Sequence, residues 1–140
     1  MSCRFCEIIK NKKGDKKIYY NTILLETENF VVIPALGSFI SGYILIITRD
    51  CLKSISDIPK HQRLELDNLI KTVINKLHVF SSTFTIFEHG SSESDLLSSA
   101  CLAHAHLHVL AKHIYAHEWK SSSVVFNSIY EFMDSSMTQS

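Results

Sequence analysis

The chain has 140 residues, of which 46% are hydrophobic, so it is long enough for one domain with a buried core and is not disordered in composition. No apolar run approaches the roughly 20 residues that a membrane-spanning helix needs. The first residues lack the apolar stretch of a signal peptide, so we expect a cytoplasmic protein without membrane contact. Fourteen basic residues balance 14 acidic ones, which gives no overall attraction to nucleic acid.

The first half of the chain predicts a short helix followed by three strands. Residues 3–10 place apolar side chains on one side and predict a short N-terminal helix. Residues 23–25 and 30–33 are rich in β-forming residues and are separated by a polar segment, which predicts a hairpin. Residues 43–48 are apolar almost throughout, so they predict a third strand near the centre of a sheet.

The second half predicts one long helix and two further strands. From residue 59 to residue 80 apolar side chains recur at helical spacing. Residues 83–88 predict a fourth strand and residues 102–112 a fifth, with a serine-rich loop at 91–100 between them.

These elements predict an α+β domain, because strands, a helix and further strands in that order favour an antiparallel sheet over βαβ units. The expected sheet has five strands, covered by the long helix and the short N-terminal helix. We assign residues 1–115 to this domain. Residues 116–140 form a C-terminal extension whose polar end we expect to be flexible.

The most informative segment carries a histidine at every second position: His104, His106 and His108. Successive side chains of a strand point to opposite faces, so the three imidazoles are predicted to share one face. Ala105 and Leu107 then point the other way, toward a core. Such a row presents nucleophilic or ligating nitrogens side by side. A strand with surface histidines and a three-histidine metal site are the alternatives.

Cys3 and Cys6 have the spacing of half a zinc site. Since we expect no secretion, the four cysteines do not predict a disulfide framework. A redox pair is the alternative for Cys3 and Cys6, although the βαβ context of such pairs is missing.

Together these motifs resemble the histidine triad (HIT) superfamily. Three landmarks occur in the order of the family: CRFCEII at residues 3–9, GYILII at residues 42–47 and HAHLHVL at residues 104–110. Glu88-His89-Gly90 resembles a further feature of one branch. The resemblance covers most of the chain and implies a HIT-like fold. It also implies a nucleotidyl hydrolase or transferase that acts on a nucleoside phosphoramidate or a dinucleoside polyphosphate.

The resemblance assigns unequal roles to the histidines. In the family the middle histidine attacks the α-phosphorus of a nucleotide and forms a covalent nucleotidyl-histidine, and the matching position here is His106. Neutral imidazole suits this role near pH 7, since its ordinary pKa is about 6.5. His108 is expected to donate to the phosphate oxygens on which charge develops.

Some HIT proteins hold a structural zinc ion with two cysteines, a histidine after the third strand and the first triad histidine. At the position after the third strand this chain carries Cys51, itself a good zinc ligand. The resemblance therefore implies Zn²⁺ bound by Cys3, Cys6, Cys51 and His104. An ordinary buried cysteine is the alternative for Cys51. Cys101, which lies before the histidine strand, is a rival for the fourth ligand, with a core or loop residue as the alternative.

Two positions depart from the family pattern. Where many members carry an aspartate for the ribose hydroxyls, this chain has Ala35, and where many carry a glutamine near the phosphates it has Ala100. Neither methyl group can accept or donate a hydrogen bond. The departures favour a second hypothesis, a non-catalytic HIT-like module that binds a nucleotide or a protein.

Further substrate contacts are predicted outside the triad. Ser98 and Ser99 could offer hydroxyl groups to phosphate, although a solvated loop is the alternative. Ile33 and Pro34 could wall a base pocket, with core packing as the alternative. The expected partner is a nucleotide or dinucleotide, and the resemblance implies a possible homodimer.

Overall fold

The structure, a computed structural model, describes residues 3–10, 22–35, 41–88 and 104–112. The elements are α1 (Arg4–Lys10), β1 (Leu25–Glu26), β2 (Phe30–Pro34), β3 (Tyr43–Thr48), α2 (Arg63–Leu77), β4 (Thr85–Phe87) and β5 (His106–Leu110), with 3₁₀ turns at Ile55–Asp57 and Lys60–Gln62. The serine-rich loop, with Ser98, Ser99 and Ala100, lies outside the described residues, as do Cys101 and the proposed domain boundary at residue 115.

All strand pairs are antiparallel, and the strands are ordered β1-β2-β3-β5-β4. The predicted α+β class is confirmed, with a five-stranded antiparallel sheet, one long helix and a short N-terminal helix. The third strand is central, as its unbroken apolar pattern predicts.

The long helix is shorter than its apolar periodicity predicts. Residues 60–62 form a 3₁₀ turn, whose Lys60 carbonyl accepts from the N–H of Arg63, and α2 begins only at Arg63. The helix ends at Leu77, whose carbonyl accepts from the N–H of Phe80. Within the described part of the chain, no helix has the length and apolar character needed to cross a membrane.

Each face of the sheet packs against one helix and builds its own core. On the face toward α2 the buried strand residues are Phe30, Val32, Ile44, Ile46, Leu107 and Val109. On the face toward α1 the buried residues are Phe5, Ile8, Val31, Ile33, Ala35, Leu45 and Ile47. We call these the α2 face and the α1 face. Ala105 and Leu107 enter the core on the α2 face, as the alternation predicts.

The start of β3 depends on Gly42, which adopts a left-handed backbone conformation with φ of 80°. A Cβ atom at this position would lie 2.7 Å from Cβ of Ala111 and 3.1 Å from the ring of Phe80. The Gly42 carbonyl also accepts from the N–H of Ala111 at 3.0 Å. Glycine is therefore needed both for the turn and for the close approach of the chain beyond β5.

Candidate active site and metal centre

The histidine row lies on the α1 face. His106 stands opposite Ile47 in the β3–β5 register and His108 opposite Leu45. The centroids of the two imidazole rings are 4.9 Å apart. His104 precedes β5, which begins at His106. The Ala105 carbonyl still accepts from the N–H of Thr48 in β3, but the N–H of Ala105 donates to the carbonyl of Leu52, beyond the end of β3.

Backbone hydrogen bonding fixes the tautomer of His106. This side chain is buried, with 7% exposure, and its Nδ1 lies 2.7 Å from the carbonyl oxygen of His104. Because a carbonyl oxygen only accepts, Nδ1 carries the hydrogen, and the neutral ring has its lone pair on Nε2. The ring of Phe5 packs against His106 at 5.1 Å between centroids. The arrangement gives His106 the electronic form of a nucleophile.

His108 is held by two aromatic side chains. Its Nδ1 lies 2.6 Å from the hydroxyl oxygen of Tyr43. Phe87, which stands opposite His108 in the β4–β5 register, stacks on the imidazole at 4.5 Å with an interplanar angle of 3°. Burial raises the pKa of Tyr43 above its ordinary value, so its hydroxyl stays protonated near pH 7.

His104 faces the two N-terminal cysteines. It is 1% exposed, and its Nε2 donates to the carbonyl oxygen of Thr48 at 2.6 Å, which leaves the lone pair on Nδ1. Burial lowers the pKa of His104, although the hydrogen bond to Thr48 opposes this, so the neutral ring is favoured. Nδ1 is 3.5 Å from Sγ of Cys3 and 3.5 Å from Sγ of Cys6.

The donor atoms of Cys3, Cys6 and His104 lie within 4.8 Å of one another. A tetrahedral zinc ion, with Zn–S of about 2.3 Å and Zn–N of about 2.0–2.1 Å, would separate sulfur from nitrogen by about 3.5 Å. The Sγ atoms of Cys3 and Cys6 each lie 3.5 Å from Nδ1 of His104, which matches this separation. The hydrogen bond from His104 to a backbone carbonyl is also the usual support of a metal-binding histidine. The three residues therefore fit a metal ion in both spacing and chemistry.

Cys51 borders this cluster without belonging to the mutually close group. Burial raises the pKa of the Cys6 thiol to about 12, and hydrogen bonds with Cys51 and Cys3 contribute to the increase. The Cys51 side chain is exposed, whereas Cys3 and Cys6 are partly buried. Cys51 is thus a neighbour of Cys6 at the solvent side of the cluster.

The structure does not bring Ile33 and Pro34 into a common pocket wall. Ile33 is fully buried on the α1 face, opposite Leu45. Pro34 is opposite Ile44, on the other face, because consecutive strand residues alternate. Ala35 is also buried in the core on the α1 face, with 3% exposure.

Three aromatic residues of the site were missed by the sequence reasoning: Phe5, Tyr43 and Phe87. Phe5 lies between the two cysteines of the Cys-x-x-Cys motif and contacts both His104 and His106. Tyr43 and Phe87 contact His108 because β3 and β4 pair with β5 in a register that brings them beside it. Apolar helical spacing marks Phe5 as a core residue, but no local pattern reveals which residue stands beside His108.

Comparisons with known proteins identify the fold. No protein-family model matches the chain, and a search of curated proteins found no significant match. Among solved structures, a HIT family member from Bacillus subtilis is similar over 99% of this chain and 95% of its own, with 10% identity and a TM-score of 0.63. A HIT family hydrolase from Legionella pneumophila covers 81% of this chain and 95% of its own, with 20% identity and a TM-score of 0.56.

A HIT family hydrolase from Clostridium thermocellum is similar over 89% of this chain and 97% of its own, with 18% identity and a TM-score of 0.56. These similarities show that the chain has the HIT fold. Fold alone does not determine activity, which depends on the residues of the site.

Proposed function

We propose that this chain is a HIT-type nucleotidyl hydrolase or transferase that acts at the α-phosphate through a covalent intermediate on His106. The observation that carries the proposal is the hydrogen bond from Nδ1 of His106 to the His104 carbonyl, which puts the lone pair of the neutral ring on Nε2. A second imidazole lies 4.9 Å away, where it can donate to the same phosphate group. The HIT fold supports the assignment by analogy.

The reaction proceeds in two displacements. The Nε2 lone pair of His106 forms an N–P bond to the α-phosphorus while the bond from phosphorus to the leaving group breaks. The leaving group departs with the electron pair and takes up a proton from solvent. Water then forms a P–O bond and releases a proton to solvent while the N–P bond breaks, and the nucleoside monophosphate is released with His106 again neutral. His108 donates to the phosphate oxygens, where negative charge grows in each transition state.

Turnover of adenosine 5′-phosphoramidate and of a diadenosine polyphosphate tests this proposal. The wild-type protein is expected to release AMP, and His106→Ala is expected to lower the rate on the order of 10³-fold or more, because the nucleophile is lost. His61→Ala is the matched control, since His61 is exposed on the 3₁₀ turn before α2. Equal rates for wild type and His106→Ala would refute the proposal.

We also propose that Cys3, Cys6 and His104 bind a structural Zn²⁺ ion, with Cys51 as the fourth ligand. Such an ion would link α1 to the segment before β5 and so fix the start of the histidine row. The zinc content of purified protein tests this. One zinc per chain is expected, with loss in Cys51→Ala and retention in the control Cys101→Ala. Loss in Cys101→Ala instead would assign the fourth position to Cys101, and metal-free wild-type protein with normal folding would reject the site.

A non-catalytic HIT-like binding module is the second candidate, and the burial of Ala35 favours it. Its methyl group lies in the core on the α1 face and offers no acceptor for ribose hydroxyls. Nucleotide binding by calorimetry without turnover of either substrate would support this candidate. A homodimer is proposed from the family resemblance alone, and sedimentation equilibrium would measure it.

A further inference from the structure

The two neighbouring imidazoles of the proposed active site have different partners at Nδ1. For His106 the partner is a backbone carbonyl, which can only accept a hydrogen. For His108 the partner is the hydroxyl of Tyr43, at 2.6 Å, which can donate or accept. The direction of this second bond decides which nitrogen of the neutral His108 ring carries the hydrogen.

The hydrogen bonding of the Tyr43 hydroxyl favours Tyr43 as the donor in its bond to His108. Among the residues that the structure describes, the Tyr43 hydroxyl makes a single hydrogen bond, the one to His108. If Tyr43 accepted in that bond, its own hydrogen would have no partner within the described residues. Burial also raises the pKa of Tyr43, so the hydroxyl keeps the hydrogen that it would donate. When Tyr43 donates, one bond uses both the hydroxyl hydrogen of Tyr43 and the lone pair on Nδ1 of His108.

We propose that Tyr43 is a positioning residue that holds the neutral ring of His108 with its hydrogen on Nε2, so that His106 and His108 adopt opposite tautomers. Phe87 stacks parallel to His108 and fixes the plane of the ring but does not choose the tautomer. The tautomers follow from the hydrogen bonds alone. Their catalytic meaning rests on the proposed function.

Opposite tautomers give the two rings complementary roles at one phosphate group. His106 presents a lone pair at Nε2 that can form a bond to phosphorus, and His108 presents an N–H at Nε2 that can donate to a phosphate oxygen. Without the Tyr43 hydroxyl, the neutral His108 ring would populate both tautomers, and part of the population would present a lone pair to the anion. The hydroxyl thus keeps His108 a donor even when its ring is neutral.

Nitrogen NMR of the full chain, labelled with ¹⁵N-histidine, tests the proposal at a pH where both rings are neutral. In the wild type, Nε2 of His108 and Nδ1 of His106 are expected to give the signals of protonated nitrogens. Tyr43→Phe is expected to shift the His108 nitrogens to the averaged signals of a mixture and to leave those of His106 unchanged. Phe87→Leu is the matched control, which removes the stacked ring and should retain the His108 tautomer.

A protonated Nδ1 of His108 in the wild type would overturn the proposal, and so would an unchanged His108 spectrum in Tyr43→Phe. The wild-type spectrum is decisive even if a variant fails to fold.

The kinetic expectation for Tyr43→Phe is a kcat about tenfold lower on adenosine 5′-phosphoramidate, the scale of one lost hydrogen bond, with a smaller change in KM. An unchanged kcat would overturn the catalytic meaning of the tautomers. The expected tautomers in a protein without turnover would reject the proposed function and retain the role of Tyr43. Turnover that depends on His106, together with a His108 tautomer that is the same with and without the Tyr43 hydroxyl, would retain the proposed function and reject the role of Tyr43.

Discussion

Replacing Phe5 with alanine should detach α1 from the sheet. The Phe5 ring is 4% exposed and lies against two imidazoles, at 5.7 Å from His104 and 5.1 Å from His106 between ring centroids. Truncating a buried phenylalanine to alanine costs about 3–5 kcal/mol. Moreover, α1 has seven residues, whereas an isolated helix needs about 12–15 residues to be even marginally stable in water. The helix therefore depends on this docking.

Urea denaturation in the presence of a zinc chelator measures the effect without contribution from a metal. Phe5→Ala is expected to lower the free energy of unfolding by about 3–5 kcal/mol, a large part of the 5–15 kcal/mol that is typical of a domain. Glu7→Ala is the matched control, because Glu7 is exposed on the same helix and alanine is a strong helix former. A loss of less than about 1 kcal/mol in Phe5→Ala would show that α1 is not held by this ring.

The same variant should weaken zinc binding if the proposed metal centre exists. Cys3 and Cys6 lie on either side of Phe5, so detachment of α1 removes two ligands from His104. If the full docking energy of about 3–5 kcal/mol is lost to binding, the zinc affinity falls by about 10²- to 4 × 10³-fold, since each 1.4 kcal/mol corresponds to a factor of ten. Competition with a chromophoric chelator measures this ratio. An affinity within threefold of the wild type would show that α1 docking and metal binding are not coupled.

Two further predictions concern the scaffold of the site. The Glu65 carboxylate accepts from the backbone and side chain of Asn29, at 2.8 Å each. Burial raises the pKa of Glu65, but hydrogen bonds, those with Asn29 first, together with the charge of Arg49 outweigh it and lower the pKa overall. The stability that this carboxylate contributes is therefore complete above its unfolded-state pKa and is lost as the pH falls through the lower folded value. Glu65→Gln should cost about 1–2 kcal/mol at pH 7 in urea denaturation, and this difference should shrink toward pH 3; a constant difference would contradict the assignment. Gly42→Ala should cost about 2–5 kcal/mol, from its left-handed conformation and its contact with Ala111. In thermal unfolding, Ala111→Gly in the same chain should recover only the contact part, and full recovery would show that the backbone is not strained.

The sequence predicted the sheet and the α1-face histidines well, because both depend on local periodicity. Alternation places Ala105 in one core and His106 on the other face without knowledge of any partner strand. The apolar run of β3 indicates its central place because only a strand covered on both faces can be apolar at each position. These inferences need only the residues within one element.

The environment of His108 could not be predicted, because it depends on the register of strands that are distant in sequence. Tyr43 reaches His108 because Leu45, two residues further along β3, stands opposite His108. Phe87 reaches His108 because β4 pairs with the other edge of β5 and places Phe87 directly opposite it. The sequence left two interpretations of Ile33, core packing and a pocket wall, for a related reason. A fully apolar strand does not reveal which of its residues meets a core and which a ligand.

The proposed reaction depends on a covalent intermediate on His106, and this intermediate can be trapped. Wild-type protein mixed with adenosine 5′-phosphoramidate, quenched under denaturing and alkaline conditions during turnover, is analysed by intact mass and peptide mapping. One AMP moiety per chain is expected on the peptide that contains His106, with no adduct in His106→Ala and an unchanged adduct in His61→Ala. Release of AMP without an adduct at any quench time, or an adduct on another residue, would contradict the proposed reaction.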